Sequence, residues 1–324
     1  VGSKVLLNAF DSSGNRGSPF PNLALMKLAA WYKSMGDEVC LVGKNLVRTT
    51  PISNPDIVYV SVIFEESAAQ AQGLRWMYPQ AEFHIGGSGI NLHRNLPPEA
   101  EALDPDYEIY DGRGIAGWPY ALGFSSRGCG RKCKFCVVPR KEGKLRQEIT
   151  LERIVGGRDR LVLLDNNMAM DPQVEEKLKW LAEWGGKVNI NQGFDARVVD
   201  RRPRLAELLV DVKYCSRTFK TKMLTLAYDH PRYKDIVTRV CGLLTDAGHN
   251  IRSDIQWYVL VNFNTTFEQD LARVHHLKEL GTNPFMMIYN KRTAPLKLKR
   301  LARWCNRREF FWSVTWEEFL ANHK

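Results

Sequence analysis

The sequence predicts an α/β fold in two parts, and three observations predict it. Short apolar segments alternate with helical ones from residue 4 to residue 112, which implies a parallel sheet with helices on both faces. RNLPPEAEALDP (94–105), rich in Pro, Glu and Asp, leads into three glycines between 111 and 117, the composition of a domain boundary. From residue 120 on, six more strand-like segments follow with helical stretches between them. Six βα units are too few to close an eight-stranded barrel, so an open partial barrel is expected. The expected domains are 1–112 and 113–324.

In the first domain, KVLLNAF (4–10) is a short apolar strand. A polar Gly/Ser loop follows, then PNLALMKLAAWYKSMGDE, where Pro21 opens the segment and Leu25, Leu28, Ala29 and Tyr32 recur at helical spacing. EVCLVG (38–43) and DIVYVSVIF (56–64) are the next strands, and a helix is expected over 65–77. AEFHIGGSG (81–89) reads as a fourth strand running into glycines, and DYEIYDG (106–112) as a shorter fifth.

The six segments of the second domain are ALGFSSRG (121–128), RLVLLDNN (160–167), KVNINQGF (187–194), KMLTLAYD (222–229), IQWYVLVNF (255–263) and PFMMIYN (284–290). Ile236, Val237, Val240, Leu243 and Leu244 form one apolar stripe on the fourth crossover; Leu271, Val274 and Leu277 form one on the fifth. Barrel active sites lie at the C-terminal ends of the strands. The stretch GFSSRGCGRKCKFCVVPRKEG (123–143) follows the first strand, where that logic puts an active-site loop.

Cys129, Cys133 and Cys136 stand in that stretch as C-x3-C-x2-C. Thiolates are soft ligands, and iron–sulfur clusters are held almost entirely by them. Three cysteines so close together can wrap one face of a cubane cluster and leave one iron open. A structural zinc site would close with a fourth Cys or His. His93 and His230, the nearest on either side, lack finger spacing, and zinc or an incidental grouping is the alternative. An odd trio among seven cysteines, with no signal peptide, points to a reducing compartment rather than to disulfides.

With Phe135 just before the last cysteine, the motif resembles the radical SAM superfamily. The resemblance implies a [4Fe–4S] cluster on the three cysteines, whose free iron chelates the amino and carboxylate groups of S-adenosylmethionine. It implies reductive cleavage to methionine and a 5′-deoxyadenosyl radical that abstracts hydrogen from a substrate. It further implies a reductant such as flavodoxin or ferredoxin and a partial (β/α)6 radical SAM barrel. The first domain resembles the cobalamin-binding Rossmann-like domain that often precedes such barrels, through PNLALMKLAAWYKSMGDEV, Ser61-Val62-Ile63, and Gly86 with Gly87. The D-x-H-x-x-G signature is absent: the loop reads Phe10-Asp11-Ser12-Ser13-Gly14-Asn15, without a histidine. Cobalamin stays open as a cofactor but is not favoured over a scaffold or substrate domain, since glycines after a strand are common in any doubly wound sheet.

Polar residues at the strand ends are the remaining candidates. The superfamily often has Gly-Gly-Glu after the second strand, accepting from the SAM amino group; here Asp165, Asn166 and Asn167 stand there, with a polar loop cap as the alternative. After the third strand, Gln192, Asp195 and Arg197 suit a ribose hydroxyl and a carboxylate, or form a local ion pair at a helix start. His230, after the fourth strand, reads as a surface residue. The fifth strand resembles the superfamily's adenine-binding strand, with Asn262 and Asn264 in place of Gly and Pro. Tyr289 ends the sixth, where it lines an adenine or substrate pocket. His275 and His276 point about 100° apart on a helix, a poor metal pair. Cys40, Cys215, Cys241 and Cys305 are scattered, so no second cluster is expected.

A net charge of +10 hints at an anionic partner, such as a nucleotide or nucleic acid. Residues 291–308 hold eight Lys or Arg and no acid, and Leu296, Leu298, Leu301 and Trp304 suggest an amphipathic helix there. No apolar run approaches the ~18–20 residues of a membrane span, and the start lacks the plan of a signal peptide, so the expected location is cytoplasmic, with no membrane partner. Three readings stand: a radical SAM enzyme acting on an anionic substrate, a cobalamin-dependent radical SAM methyltransferase, and a non-catalytic iron–sulfur protein that binds nucleic acid.

Overall fold

The computed structural model describes residues 2–11, 20–43, 52–110 and 119–322. It divides into two compact units, Val1–Pro119 and Tyr120–Lys324.

The first unit contains β1 (Lys4–Ala9), α1 (Leu23–Ser34), β2 (Glu38–Val42), β3 (Ile57–Ser61), α2 (Ala68–Gly73), β4 (Glu82–Gly86) and α3 (Pro98–Glu101). The sheet order is β2-β1-β3-β4, and every pairing is parallel. Val5, Leu7 and Ala9 of β1 pack with Leu25, Met26 and Ala29 of α1, while Leu6 packs with Val58, Val60 and Ala71 on the other face. A strand covered on both faces reads as a continuous apolar run, which is why this one was legible. The helix expected over 65–77 is instead α2 flanked by 3-10 turns, Glu65–Ser67 and Leu74–Met77.

The expected fifth strand is absent over 108–110, where Glu108–Tyr110 forms a 3-10 turn. Asp106 Oδ1 accepts from the Glu108 N–H (3.0 Å), a local turn that competes with a ladder. Ile109 and Tyr110 are buried with the α1 side of the core, and Tyr110 Oη accepts from the Asn22 N–H (2.8 Å). The segment therefore caps α1 rather than extending the sheet. Residues 111–112 of that expectation, and 12–15 of the histidine-free loop, lie outside the described residues.

The second unit runs β5 (Ala121–Gly123), β6 (Ser126–Arg127), α4 (Val138–Lys141), β7 (Arg146–Gln147), α5 (Leu151–Val155), β8 (Arg160–Leu163), α6 (Val174–Trp184), β9 (Lys187–Ile190), α7 (Ala196–Arg201), α8 (Arg204–Val210), β10 (Leu224–Ala227), α9 (Lys234–Asp246), α10 (Ile251–Asp254), β11 (Ile255–Val261), α11 (Phe267–Glu279), β12 (Asn283–Ile288), α12 (Leu296–Cys305), α13 (Arg308–Ser313) and α14 (Trp316–Asn322). β5-β8-β9 and β10-β11-β12 are parallel three-stranded sheets. A parallel bridge between Phe194 and Leu226 links them. This mixed α/β arrangement, a Rossmann-like parallel sheet and then a partial barrel of six parallel strands, is the predicted fold class.

The crossover stripes bury as their period requires: Val237, Val240 and Leu244 on α9, Val274 and Leu277 on α11. On α12, Leu298, Leu301 and Trp304 are buried, but Leu296 is 63% exposed at the first turn and lies off the stripe. Phe311 is fully buried. Trp312 donates to Asn283 Oδ1 (3.0 Å), and the Arg252 guanidinium sits 3.3 Å from its ring centroid. These aromatics serve the fold.

Candidate cluster and cofactor site

The cysteine loop is closed by a ribbon that sequence periodicity did not reveal. β6 and β7 pair antiparallel, Ser126 with Gln147 and Arg127 with Arg146. Two-residue strands leave no alternation to detect. Gly128 opens the loop at φ +85°, and a Cβ there would lie 2.2 Å from the Lys144 carbonyl oxygen, so only glycine fits. The Cys129 N–H donates to the Gly143 carbonyl (3.2 Å) across the loop base.

Asp165, at the end of β8, anchors the loop to the sheet. It is buried, and it accepts from the Ser125 N–H (2.6 Å), Ser125 Oγ (2.6 Å) and Ser126 Oγ (2.7 Å). Burial pushes its carboxyl above the usual range, outweighing those bonds. Asn166 Oδ1 accepts from the Gly128 N–H (2.8 Å). Lys177 of α6 reaches Asp171 Oδ2 (2.5 Å) and Ser125 Oγ (2.9 Å), joining the same support.

Cys129, Cys133 and Cys136 line one cavity of about 210 Å³. Of the other sequence candidates, Phe135, Asn166, Asn167, Gln192, Asp195 and Arg197 line it too. Asp165, Asn262, Asn264 and Tyr289 are not among its walls. Asn262 and Asn264 take left-handed φ of +66° and +53°, a conformation asparagine tolerates. Asn262 Nδ2 donates to the Tyr289 carbonyl (3.0 Å), tying β11 to β12. Tyr289 meets Phe263 edge-on at 4.8 Å between centroids, and Phe263 meets Phe135 at 5.7 Å. The aromatic beside the last cysteine is thereby connected to the ends of the last two strands.

Asp195 is the electrostatic hub. It caps α7, accepting from the Arg197 N–H (3.1 Å). Its oxygens also accept from Arg197 Nε (2.8 Å), Arg131 Nε (3.0 Å) and Asn167 Nδ2 (3.2 Å). Burial would push this carboxyl up, but Arg197 and Arg131 outweigh it and hold it below the usual range. Cys129 Sγ accepts from the Arg131 N–H (3.3 Å) and Asn167 Nδ2 (3.4 Å). Cys133 and Cys136 are pushed up by burial, with Arg197 pulling Cys133 back. His230 accepts from the Arg232 N–H (3.2 Å) and caps a 3-10 turn.

Asp229, at the end of β10, lines the cavity and carries a carboxyl pushed up to about 6 by burial, against Arg197 and Arg273. Sequence reasoning passed over it, because its burial depends on strands distant in sequence. Its place at a strand end was the available signal. Arg273 is equally invisible in sequence: it lies on α11 and donates to the carbonyls of Tyr228 and Leu260 (2.7 Å each), holding the ends of β10 and β11.

Among the described residues, no three His, Cys, Asp or Glu side chains converge as a preformed metal-holding group. A cubane places its ligating sulfurs on separate corners, so it fits three thiols spread around one cavity better than a single ion does. Two further features suit it: N–H donors already directed at Cys129 Sγ, and the buried, unpartnered Asn167 Oδ1 on the same cavity.

No protein-family model matches the chain. It is similar to the ribosomal protein uS12 methylthiotransferase RimO of Legionella pneumophila. Identity is 29% over 159 residues in the strain Lens and strain Corby proteins and 30% over 157 residues in the strain Paris protein. Each match covers 45% of this chain and 31% of the relative, so the chain spans about a third of the length of the curated relatives it matches. This likeness supports a radical SAM enzyme. Among the described residues, no helix is long and apolar enough to cross a membrane.

Proposed function

We propose that the protein is a radical SAM enzyme in which Cys129, Cys133 and Cys136 hold a [4Fe–4S] cluster. The observation that carries this reading is that the three thiols share one cavity with Asn167, Asp195 and Arg197 at the ends of β8 and β9. When bound, the cluster and S-adenosylmethionine supply reductive cleavage and a radical able to abstract hydrogen from an unactivated carbon.

The chain's own residues position these groups. Donation to Cys129 Sγ from Arg131 and Asn167 stabilises thiolate charge. Asn167 Oδ1 offers an acceptor for the SAM amino group, since Asp165 is engaged by Ser125 and Ser126 and is not a wall of the cavity. Arg197, fixed by Asp195 and by Tyr233 Oη (3.1 Å), presents its guanidinium to a carboxylate. Gln192 and Asp229 give polar groups for a ribose. Phe135 gives the cavity an apolar wall and is braced edge-on by Phe263. A reductant such as flavodoxin or ferredoxin would supply the electron.

Methylthio transfer belongs to the relatives' name. Outside the loop, Cys40, Cys215, Cys241 and Cys305 are buried, and among the described residues no three of them converge, so our reading stops at hydrogen abstraction. Cobalamin is not favoured. Gly87, at φ +98°, would put a Cβ 2.2 Å from the Val62 carbonyl oxygen, and Ser61 Oγ accepts from Asn22 Nδ2 (2.7 Å). The glycine and the serine both have structural reasons.

Anaerobic reconstitution with iron and sulfide, then dithionite and SAM, tests the reading. Protein-bound iron and release of 5′-deoxyadenosine are expected. Zinc in its place, with SAM intact, would sink the proposal. Deuterium transfer from candidate substrates into deoxyadenosine then identifies the substrate.

A further inference from the structure

A second pocket adjoins the cysteine cavity. Its volume is about 430 Å³, within the range of small-molecule sites, and Arg131, Cys133 and Arg197 belong to the walls of both. Its remaining charged walls are Lys132, Arg201 and Arg232, with one acid, Asp200.

The charges in this pocket do not cancel. Asp195 is occupied by Arg131 and Arg197. Asp200 is engaged by Arg239, Nε at 2.7 Å and Nη2 at 2.8 Å. In the basic run after α7, Arg202 and Arg204 both turn to Glu175. Arg201 turns to the pocket. Among the described residues, Lys132, Arg201 and Arg232 have no carboxylate within ion-pair distance. Arg232 is nonetheless fixed: its Nη2 donates to Tyr233 Oη (2.7 Å), and its guanidinium lies 4.9 Å from that ring centroid. Tyr233 Oη also accepts from Arg197 Nη1 (3.1 Å). A cation held in place before binding loses little freedom when an anion arrives.

We propose that Lys132, Arg201 and Arg232 form a subsite for a phosphate group of the substrate. A phosphate's several oxygens can meet a lysine and two guanidinium forks together, whereas a lone carboxylate would leave part of that charge unmet. The inference rests on the reading that the adjoining cysteine cavity is where the chemistry occurs; the anchored phosphate would hold the rest of the substrate toward it. Arg131 and Arg197 share the Asp195 carboxylate and are held by it on the cavity side, so they serve the cavity, not the anchor.

The test is binding to the reconstituted protein at low salt, by calorimetry. The probes are adenosine 5′-monophosphate, a short single-stranded RNA and a glutamate-rich peptide. Saturable binding of a phosphate probe is expected. The Arg201→Gln/Arg232→Gln double variant should weaken it at least about tenfold per guanidinium removed, since charge-assisted bonds are the strong ones. Arg202→Gln, tied to Glu175 outside the pocket, should leave it within about twofold. Lys132→Gln alone should weaken it less than the double variant does. Comparable affinity for the mononucleotide and the RNA identifies a nucleotide source; binding of the RNA alone identifies a nucleic-acid backbone. Absence of saturable phosphate binding, equal weakening by Arg202→Gln, or preference for the peptide would overturn the proposal. Iron content and SAM cleavage are measured on the same samples, so failure of the cluster reading and failure of the phosphate subsite show separately.

Discussion

Replacing Asp229 with Asn should stabilise the cluster-free protein at neutral pH, although the residue lines the candidate site. Burial raises this carboxyl from 3.8 to about 6, with Arg197 and Arg273 pulling the other way and Asp195 adding to the rise. The folded protein therefore binds this proton more tightly than the unfolded chain does. The site is most favourable to folding below pH 4, and that advantage is lost as pH rises through 6. A shift of roughly two pK units corresponds to a cost of about 3 kcal/mol once the group is ionised, and about 1.5 kcal/mol at pH 5. Asparagine has nearly the same volume and carries no charge. In urea, the variant's unfolding free energy should exceed the parent's by up to about 3 kcal/mol at pH 7.5 and by about half that at pH 5. In the loaded enzyme, SAM affinity should fall, because a polar wall of the cavity changes. A stability gap that stays the same between pH 5 and pH 7.5, or a variant no more stable at pH 7.5, would refute the argument that Asp229 is a half-buried carboxylate disfavoured in its ionised form.

Cys136→Ala should abolish bound iron and deoxyadenosine release, while Cys215→Ala, buried outside the cavity, should keep both; iron assay and product chromatography check this. Asp195→Ala strands Arg131, Arg197 and Asn167 together, so thermal unfolding should show a loss of about 3–5 kcal/mol and iron retention should drop. Gly128→Ala forces a Cβ against the Lys144 carbonyl at φ +85°, and it should cost more than about 1–3 kcal/mol and release iron on gel filtration. Incubation with cobalamin should leave well under one equivalent bound by absorbance, because Gly87 and Ser61 already serve the fold.

Much of the fold was legible because its signals are local. The six barrel strands carry apolar residues in runs, as in β8 and β11, or in alternation, as in β9, and α9 and α11 carry stripes at helical period. The cysteine loop was legible because its spacing is a chemical pattern. Other features are set at long range. The role of Asp165 comes from Ser125 and Ser126, some forty residues earlier, so sequence shows only a polar strand end. Asp229 looks like any loop acid until β10 and its neighbours bury it. The apolar residues of 106–112 fit a strand by composition, but Asp106 turns the chain, and Ile109 and Tyr110 go to the core under α1. Leu296 falls on the exposed first turn of α12, on the far side of the helix from the face that Leu298 and Leu301 define.

The two buried aspartates at the ends of neighbouring strands divide the work by the kind of donor each receives. Asp165 receives hydroxyls and a backbone N–H, and burial outweighs them, so its carboxyl titrates high. Neutral donors of this kind bind the loop to the sheet without adding charge to the cavity. Asp195 receives two guanidiniums and stays ionised. One carboxylate between two arginines leaves a net positive charge beside Cys129 and Cys133, two of the cavity's three thiols. Three thiolates gathered in one cavity would repel one another, and each must lose its proton to bind metal. The surplus charge of Arg131 and Arg197 offsets that repulsion, and it accounts for Arg197 pulling down the Cys133 thiol that burial pushes up. Removing Asp195 would therefore increase the positive charge yet weaken the site, because the guanidiniums would lose the partner that holds them in place. Position, more than total charge, is what Asp195 contributes.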